Sequence, residues 1–383
     1  MDETAMNLDE LKERFQNCHG LPADVITSSP GRLEVLGNHT DYNDGLTLSC
    51  AVGFRCYAAA AKLNDPVAKL ASTAFETPAE SFPLELPDTE KGHWARYVLG
   101  LVDALRRRGH DVPGFAMLID SQVPQSAGVS SSAAVEMAAL VAIVSLMDAY
   151  ISTEDMAHMG QESESRAVGA QTGLLDQLTA LLGQPDRLIK IDFQSLETQT
   201  IPAPSGWCFV AVDSGVKHDL TQEYNARRNA CEAAAKAMGV ASLRLATLPM
   251  LEAGRDKMSA QDYACATHIL QENQRVEQAV AYLAENRMDA FGQLLFDSHR
   301  SSRLNFKNSC PELDELVAYA MQDDRCVGAR LSGGGFGGIS IHLVRAEDAE
   351  PYRTSLLQAV APTQASERWS AVCEIGDGAK IHD

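Results

Sequence analysis

The 383-residue sequence is poor in positive charge, with 32 Lys and Arg against 52 Asp and Glu and a formal net charge of −20. Such a balance repels phosphodiester backbones and anionic lipid, which argues against a nucleic-acid or membrane partner and leaves room only for a local basic pocket. No Cys-x-x-Cys pair occurs among the nine cysteines, Cys18, Cys50, Cys56, Cys208, Cys231, Cys265, Cys310, Cys326 and Cys373. Their odd number and scattered spacing fit reduced thiols better than a disulfide framework or a zinc site. A long apolar run is also lacking: the longest, Met137 to Met147, is bounded by Glu136 and Asp148 and is too short to span a bilayer. The acidic start, Met1 to Glu10, has no basic region followed by an apolar core, so no secretion signal is expected and the expected location is the cytoplasm. Internal repeats, low-complexity tracts and the Gly-x-x-x-x-Gly-Lys-Ser/Thr pattern of a Walker-type nucleotide site are missing as well.

What is present is an ordinary globular composition, 45% hydrophobic and 22% charged. The length exceeds that of a usual single core, so two closely packed domains are expected. A composition change at Ile201-Pro202-Ala203-Pro204-Ser205-Gly206 divides them, giving 1–200 and 201–383. The first part alternates strand-like and helical patterns. Leu48 to Phe54 and Phe115 to Ile119 read as strands. A helix over His93 to Arg107 follows from apolar Trp94, Tyr97, Val98, Leu101, Val102 and Leu105 at three- and four-residue intervals. The segment Ala134 to Met147 is apolar nearly all round and predicts a buried helix. Thr153-Glu154-Asp155 opens another that Gly169 stops. The second part has a strand at Trp207 to Val212, helices near Glu223 to Met238 and Gln261 to Glu285, and two strands flanking Gly333 to Gly338.

Two segments carry chemistry. Ser29-Pro30-Gly31-Arg32-Leu33-Glu34-Val35-Leu36-Gly37-Asn38-His39-Thr40-Asp41-Tyr42-Asn43 puts a cation, hydrogen-bonding side chains and a carboxylate around a glycine turn, as a polar-ligand site requires. Val123-Pro124-Gln125-Ser126-Ala127-Gly128-Val129-Ser130-Ser131-Ser132-Ala133 leads into a helix. Its small residues let backbone N–H groups approach an anion at the positive end of the helix dipole, although a serine run is equally an N-cap cluster.

The first segment resembles the sugar-binding signature of galactokinases, members of the GHMP small-molecule kinase superfamily, with Asn38 where that family has Glu. The second resembles the family's phosphate-binding motif Pro-x-x-Ala-Gly-Leu-Ser-Ser-Ser-Ala, with Val129 for Leu. A third segment, Gly328 to Gly338, resembles its C-terminal glycine-rich loop, with Ile339 where Cys is common. The resemblance implies a two-domain α+β fold, an N-terminal α/β domain and a C-terminal α+β domain with the site in the cleft between them. It also implies ATP and Mg²⁺ as cofactors, a hexose as the other partner, a monomer, and phosphorylation at the anomeric hydroxyl.

By the same resemblance Asp176, in Gly173-Leu174-Leu175-Asp176-Gln177, and Arg32 match the catalytic pair. Such a pair suits the reaction, because a carboxylate must take or orient the hydroxyl proton and a cation must offset charge. The hexose contacts carried over are Asn38, His39, Asp41, Gly173 and Tyr224. Trp94 and Tyr97 match a segment lining the adenine pocket, with Arg96 in place of the usual Asn, and these aromatics equally suit a helix's core stripe. Gly128, Ser130, Ser131, Ser132 and Ala133 match the phosphate loop.

For Mg²⁺, which prefers a hard carboxylate with phosphates and water, Glu136 and Glu164 both suit. The family pattern selects Glu164, with the Ser132 hydroxyl. An amide at residue 38 would tolerate a carboxylate at C6 of the sugar, so galacturonate or another C6-modified galactose stands beside galactose as a substrate. A sensor that binds sugar and ATP without turnover is the reading from another class. The complete Ser130 to Ala133 loop, with Asp176 and Arg32 in place, favours catalysis.

Overall fold

The computed structural model describes residues 6–75, 78–85, 93–125, 128–169, 172–216, 221–360 and 368–382. Ser126 and Ala127 of the serine-rich loop lie outside the described residues. The larger sheet is built from β1 (Val25–Leu36), β2 (Leu46–Leu63), β3 (Val67–Ser72), β4 (Glu80–Pro83), β5 (Gly114–Ser121), β6 (Arg187–Asp192) and β7 (Glu197–Pro202). The smaller one comprises β8 (Trp207–Asp213), β9 (Cys326–Ser332), β10 (Ile339–Arg345) and β11 (Ser370–Cys373). A short β12 (Lys380–His382) then returns to the outer edge of β1. Among the described residues only β3 and β5 pair in parallel; the other ladders are antiparallel.

β1 and β2 are buried over most of their length, so they read as continuous apolar and small-residue runs rather than an alternation. The helix Ser131–Leu146 packs against both. Ala134, Ala138, Ala139 and Ala142 are fully buried on it and keep the approach close enough for the Thr27 hydroxyl to donate to the Ala138 carbonyl at 2.7 Å. Predicted helices match Ala95–Arg107, Thr153–Val168, Thr221–Met238 and Ala260–Ala284 to within a few residues. The cap before Thr153 is Ser152, one residue earlier than expected, and Gly169 ends that helix in the left-handed region at φ 81°.

One continuous apolar core joins the two sheets. It includes Leu33 and Val35 of β1, Met137 and Leu140 of the buried helix, Phe209 of β8 and Ile341 of β10. The long helix Ala260–Ala284 reaches across to the larger sheet's turn: Glu272 Oε2 accepts from the backbone N–H of Gly37 (3.0 Å) and Asn38 (3.2 Å), and Asn273 Oδ1 from that of Leu46 (2.8 Å). Glu272 is buried, which alone would raise its pKa, but Arg275 and then His268 hold it down to about 2. A charged acceptor on one part of the chain thus fixes the glycine turn of another. No helix among the described residues is long and apolar enough to cross a membrane.

Candidate active site

Two β-bulges, between Pro30 and Arg32 and between Glu34 and Leu36, bracket the three residues Arg32 to Glu34 in β1. Bulges bend a strand and re-aim its side chains, and here Arg32 and Glu34 both face a cleft of about 100 Å³. His39, Asp41, Gly173, Asp176 and Tyr224 line it too, as do Thr172, Leu175, Gly333 and Gly334.

Arg32 donates from Nε to Asp176 Oδ1 (2.7 Å), from Nη2 to Asp176 Oδ2 (2.9 Å) and from Nη1 to the Gly128 carbonyl (2.9 Å). This fork is the geometry in which a guanidinium binds a carboxylate most strongly. Burial would lower the arginine pKa, but the charges of Asp176 and Glu34 raise it, so the cation persists. The Ser130 hydroxyl also donates to Asp176 Oδ2.

Ser130 stands in the left-handed region at φ 57° and makes no side-chain cap bond, so the serine run is not an N-cap cluster. The first intrahelical bond runs from the Ala134 N–H to the Ser130 carbonyl at 3.1 Å. The amides of Ser131, Ser132 and Ala133 therefore precede the helical ladder, as an anion cradle requires. Gly128 closes the loop against the C-terminal glycine-rich segment, since a β-carbon there would lie 3.1 Å from the Ile339 nitrogen.

Glu164 accepts from the Ser132 hydroxyl and from the Thr172 hydroxyl, both at 2.9 Å. Glu136 lies fully buried behind it and accepts from Gln177 Nε2 at 3.1 Å. Burial, and then the charge of Glu164, raises the Glu136 pKa well above the usual carboxylate range, and burial raises that of Glu164 too; of the two, Glu164 is the one that reaches the Ser132 hydroxyl. Ser132 and Glu164 supply hard oxygen donors beside the phosphate loop. Among the described residues no group of three or more His, Cys, Asp or Glu gathers as a self-sufficient metal site. A cation there would take its remaining ligands from phosphates and water, the habit of Mg²⁺.

The sugar-motif residues divide. Asp41 reaches the cleft, where burial and then the charges of Glu34 and Asp176 raise its pKa to about 7. Gly173 leaves it room, because a β-carbon there would sit 1.8 Å from Asp41 Oδ2. Tyr224 packs its ring against His39 at 4.9 Å. His39 presents its ring to the cleft, but both nitrogens are engaged in the protein: Nε2–H donates to the Gly334 carbonyl (2.9 Å) and Nδ1 faces the Tyr42 hydroxyl (2.8 Å). Burial lowers its pKa to about 4, so the ring is neutral.

Asn38 is fully buried and does not line the cleft. Its Nδ2 donates to Glu34 Oε1 and to the Gly333 carbonyl, each at 2.8 Å. Its Oδ1 accepts from Asn308 Nδ2 (2.9 Å) and the Ser302 hydroxyl (3.3 Å). With all four positions filled, it has none left for a sugar. The expected direct contact from Asn38 is corrected on that ground, and the case for a C6-carboxylate substrate that rested on it loses its footing.

Trp94 lies apart from this cleft, partly buried and stacked with Phe75 at 6.3 Å and His93 at 6.2 Å. Tyr97, three residues on, has its hydroxyl pKa raised by burial and then by the charges of Glu164 and Glu136. A larger hollow of about 460 Å³, lined by residues of Ala260–Ala284 and Met288–Ser301, holds none of the motif side chains.

Comparison with known proteins fits this geometry. The galactokinase galactose-binding signature matches residues 13–62, the GHMP kinases N terminal domain residues 96–184, and the GHMP kinases C terminal domain residues 279–360. A galactokinase of Roseiflexus sp. (strain RS-1) is 34% identical over 379 residues, covering 97% of each chain. The chain belongs to the galactokinase family of GHMP kinases. It is accordingly an ATP-dependent sugar kinase with the two-domain α+β fold of that family. A galactokinase of Glaesserella parasuis serovar 5 (strain SH0165) is 36% identical over 375 residues, 96% of this chain and 97% of its own. The crystal structure of Lactococcus lactis galactokinase complexed with galactose superposes with a TM-score of 0.92 at 27% identity, over 97% of this chain and 99% of that one.

Thr172 is a cleft residue outside the matched motifs, while Glu34, Leu175, Gly333 and Gly334 lie within them but the resemblance gives them no role. For Glu34 a signal exists: it follows Arg32 by two on a strand and so shares its face.

Proposed function

We propose that this enzyme transfers the γ-phosphoryl group of ATP to the anomeric hydroxyl of galactose, giving galactose 1-phosphate and ADP. One observation carries the reading: Asp176 is bound at once by Arg32 on the sugar side and by Ser130 of the phosphate loop. That carboxylate touches both halves of the reaction. Its oxygens orient or take the proton of the sugar hydroxyl as the new oxygen–phosphorus bond forms and the bond to the ADP leaving group breaks. With Arg32 in place, positioning and charge balance contribute more than full proton abstraction.

Asp41 and Tyr224 hold the hexose, with the His39 ring as part of the wall. The amides of Ser131 to Ala133 and the glycine backbone at Gly128 hold the phosphates. Ser132 and Glu164 would hold Mg²⁺, which would supply positive charge to offset that of the phosphates. Adenine sits against the aromatic group of Trp94, with Tyr97 beside it; the exposed Phe75 stacked on Trp94 supports a platform there. We place the domain division near residue 200, with 380–382 belonging to the first domain, as the pairing of β12 with β1 supports. The nine unpaired thiols support a reducing, cytoplasmic setting.

The test is ATP consumption by the purified protein with Mg²⁺ and matched concentrations of galactose, galacturonate, N-acetylgalactosamine and glucose, with the product identified as the 1-phosphate. Preference for galactose is expected. Phosphorylation of galacturonate in preference to galactose, or sugar binding without ADP release, would overturn the reading.

A further inference from the structure

The family's carboxylate is missing at residue 38, yet the wall of the cleft still carries one, four residues earlier. Arg32 and Glu34 lie on one face of β1 between its two bulges. Two residues of strand span about 6.6 Å. That is roughly the distance across a pyranose from its reacting oxygen to the substituents on the far side.

Glu34 is 4% exposed and lines the cleft. Both its side-chain partners fall on the same oxygen: Oε1 accepts from Asn38 Nδ2 (2.8 Å) and from Arg330 Nη2 (2.9 Å). Among the described residues none donates to Oε2. Arg330 is fully buried and also donates from Nη1 to the carbonyls of Glu34 and Val35, both at 3.1 Å, so it fixes the backbone and the carboxylate together. With no protein donor, Oε2 keeps an acceptor position that a hydroxyl from a ligand in the cleft can fill.

We propose that Glu34 is a specificity-determining residue of this enzyme: its Oε2 accepts a hydrogen bond from a galactose hydroxyl on the side of the ring remote from the reacting one, and Asn38 and Arg330 are its positioning residues. The inference rests on the galactokinase reading above. The amide and the carboxylate have a division of labour in which residue 38 binds protein and residue 34 binds sugar. A uronic acid is then rejected, because its carboxylate would face Glu34 and Asp41 across the cleft.

Glu34→Gln tests this without changing shape. The donors at Oε1 hold the amide oxygen there and turn the NH₂ toward the sugar, so an acceptor becomes a donor. With galactose, kcat/KM is expected to fall about 10- to 100-fold, mainly through KM, while the galacturonate-to-galactose activity ratio rises. Steady-state kinetics with 3-deoxy-, 4-deoxy- and 6-deoxygalactose complete a cycle: for one of them, the penalty seen with the wild type should vanish in the variant. Glu34→Asp keeps the charge opposite Arg330 but withdraws Oε2, and should weaken the same hydroxyl's penalty should Glu34→Gln melt early. Wild-type turnover of galactose with equal deoxysugar penalties in all three proteins would overturn the role of Glu34 alone. Wild-type inactivity with galactose would overturn the galactokinase reading and this inference together.

Discussion

Gly173 and Asp41 are in such close apposition that a β-carbon on Gly173 would lie 1.8 Å from Asp41 Oδ2. The glycine thus leaves the space that lets the carboxylate reach the cleft. Gly173→Ala must push Asp41 aside. Galactose KM should rise at least about tenfold, with about 1 to 3 kcal/mol of stability lost to overpacking. Kinetics alongside thermal melting checks both, and an unchanged KM would remove Asp41 from the sugar contacts.

Asp176→Asn retains shape and loses the proton acceptor and half of the ion pair with Arg32. A fall in kcat of about 10² to 10⁴ is expected, while calorimetry should find galactose binding within a few-fold of the wild type. Wild-type turnover by this variant would show that another group handles the proton.

The two acidic side chains near the phosphate loop should behave differently in a Mg²⁺ titration of the rate. Glu164→Gln alters the carboxylate proposed as the ligand beside Ser132 and should raise the Mg²⁺ needed for half-maximal rate about tenfold or more. Glu136→Gln alters a group that bonds Gln177 rather than Ser132, so its Mg²⁺ requirement should stay at the wild-type level. The opposite ranking would reassign the ligand.

Asp41 gives the enzyme a pH-dependent stability of definite sign. Its folded pKa of about 7 lies above the ordinary 3.8, so the native chain keeps a proton that the unfolded chain releases. The stabilisation from this group is complete below 3.8 and is lost as pH rises through about 7. Asp41→Asn has no such proton to lose. Its stability relative to the wild type should climb with pH over that window and then level off, as urea denaturation of the sugar-free proteins would measure. A difference that does not vary with pH would contradict the raised value.

Much of the architecture was legible because the signals are local. The helices over Ala95–Arg107 and Ala260–Ala284 announce themselves by apolar spacing, and Gly169 by its position after a polar helix. β1 and β2 were legible only in part, since strands buried on both faces carry no alternation and small residues disguise their length. Motif order likewise brought Arg32, Asp41, Gly173, Asp176 and Tyr224 to one cleft. The same matching misjudged Asn38, because a motif position says which residue occupies a turn and not which way its side chain points. That direction depends on Asn308, Ser302 and Gly333, which lie 270, 264 and 295 residues away in sequence. Glu272 was unreadable for the same reason: its partners are the backbone amides of Gly37 and Asn38.

The pairing of β12 with β1 has a consequence for biosynthesis. Ile26, Thr27 and Ser28 meet His382, Ile381 and Lys380, and the Ser28 hydroxyl lies 2.7 Å from His382 Nε2. A ribosome must deliver residues beyond 380 before the outer edge of β1 finds its neighbour. Until then a nascent chain displays an open strand edge a few residues from Arg32, a template for pairing with another chain. Synthesis of residues 380–382, and not completion of the N-terminal half, is the event that closes the sheet carrying Arg32.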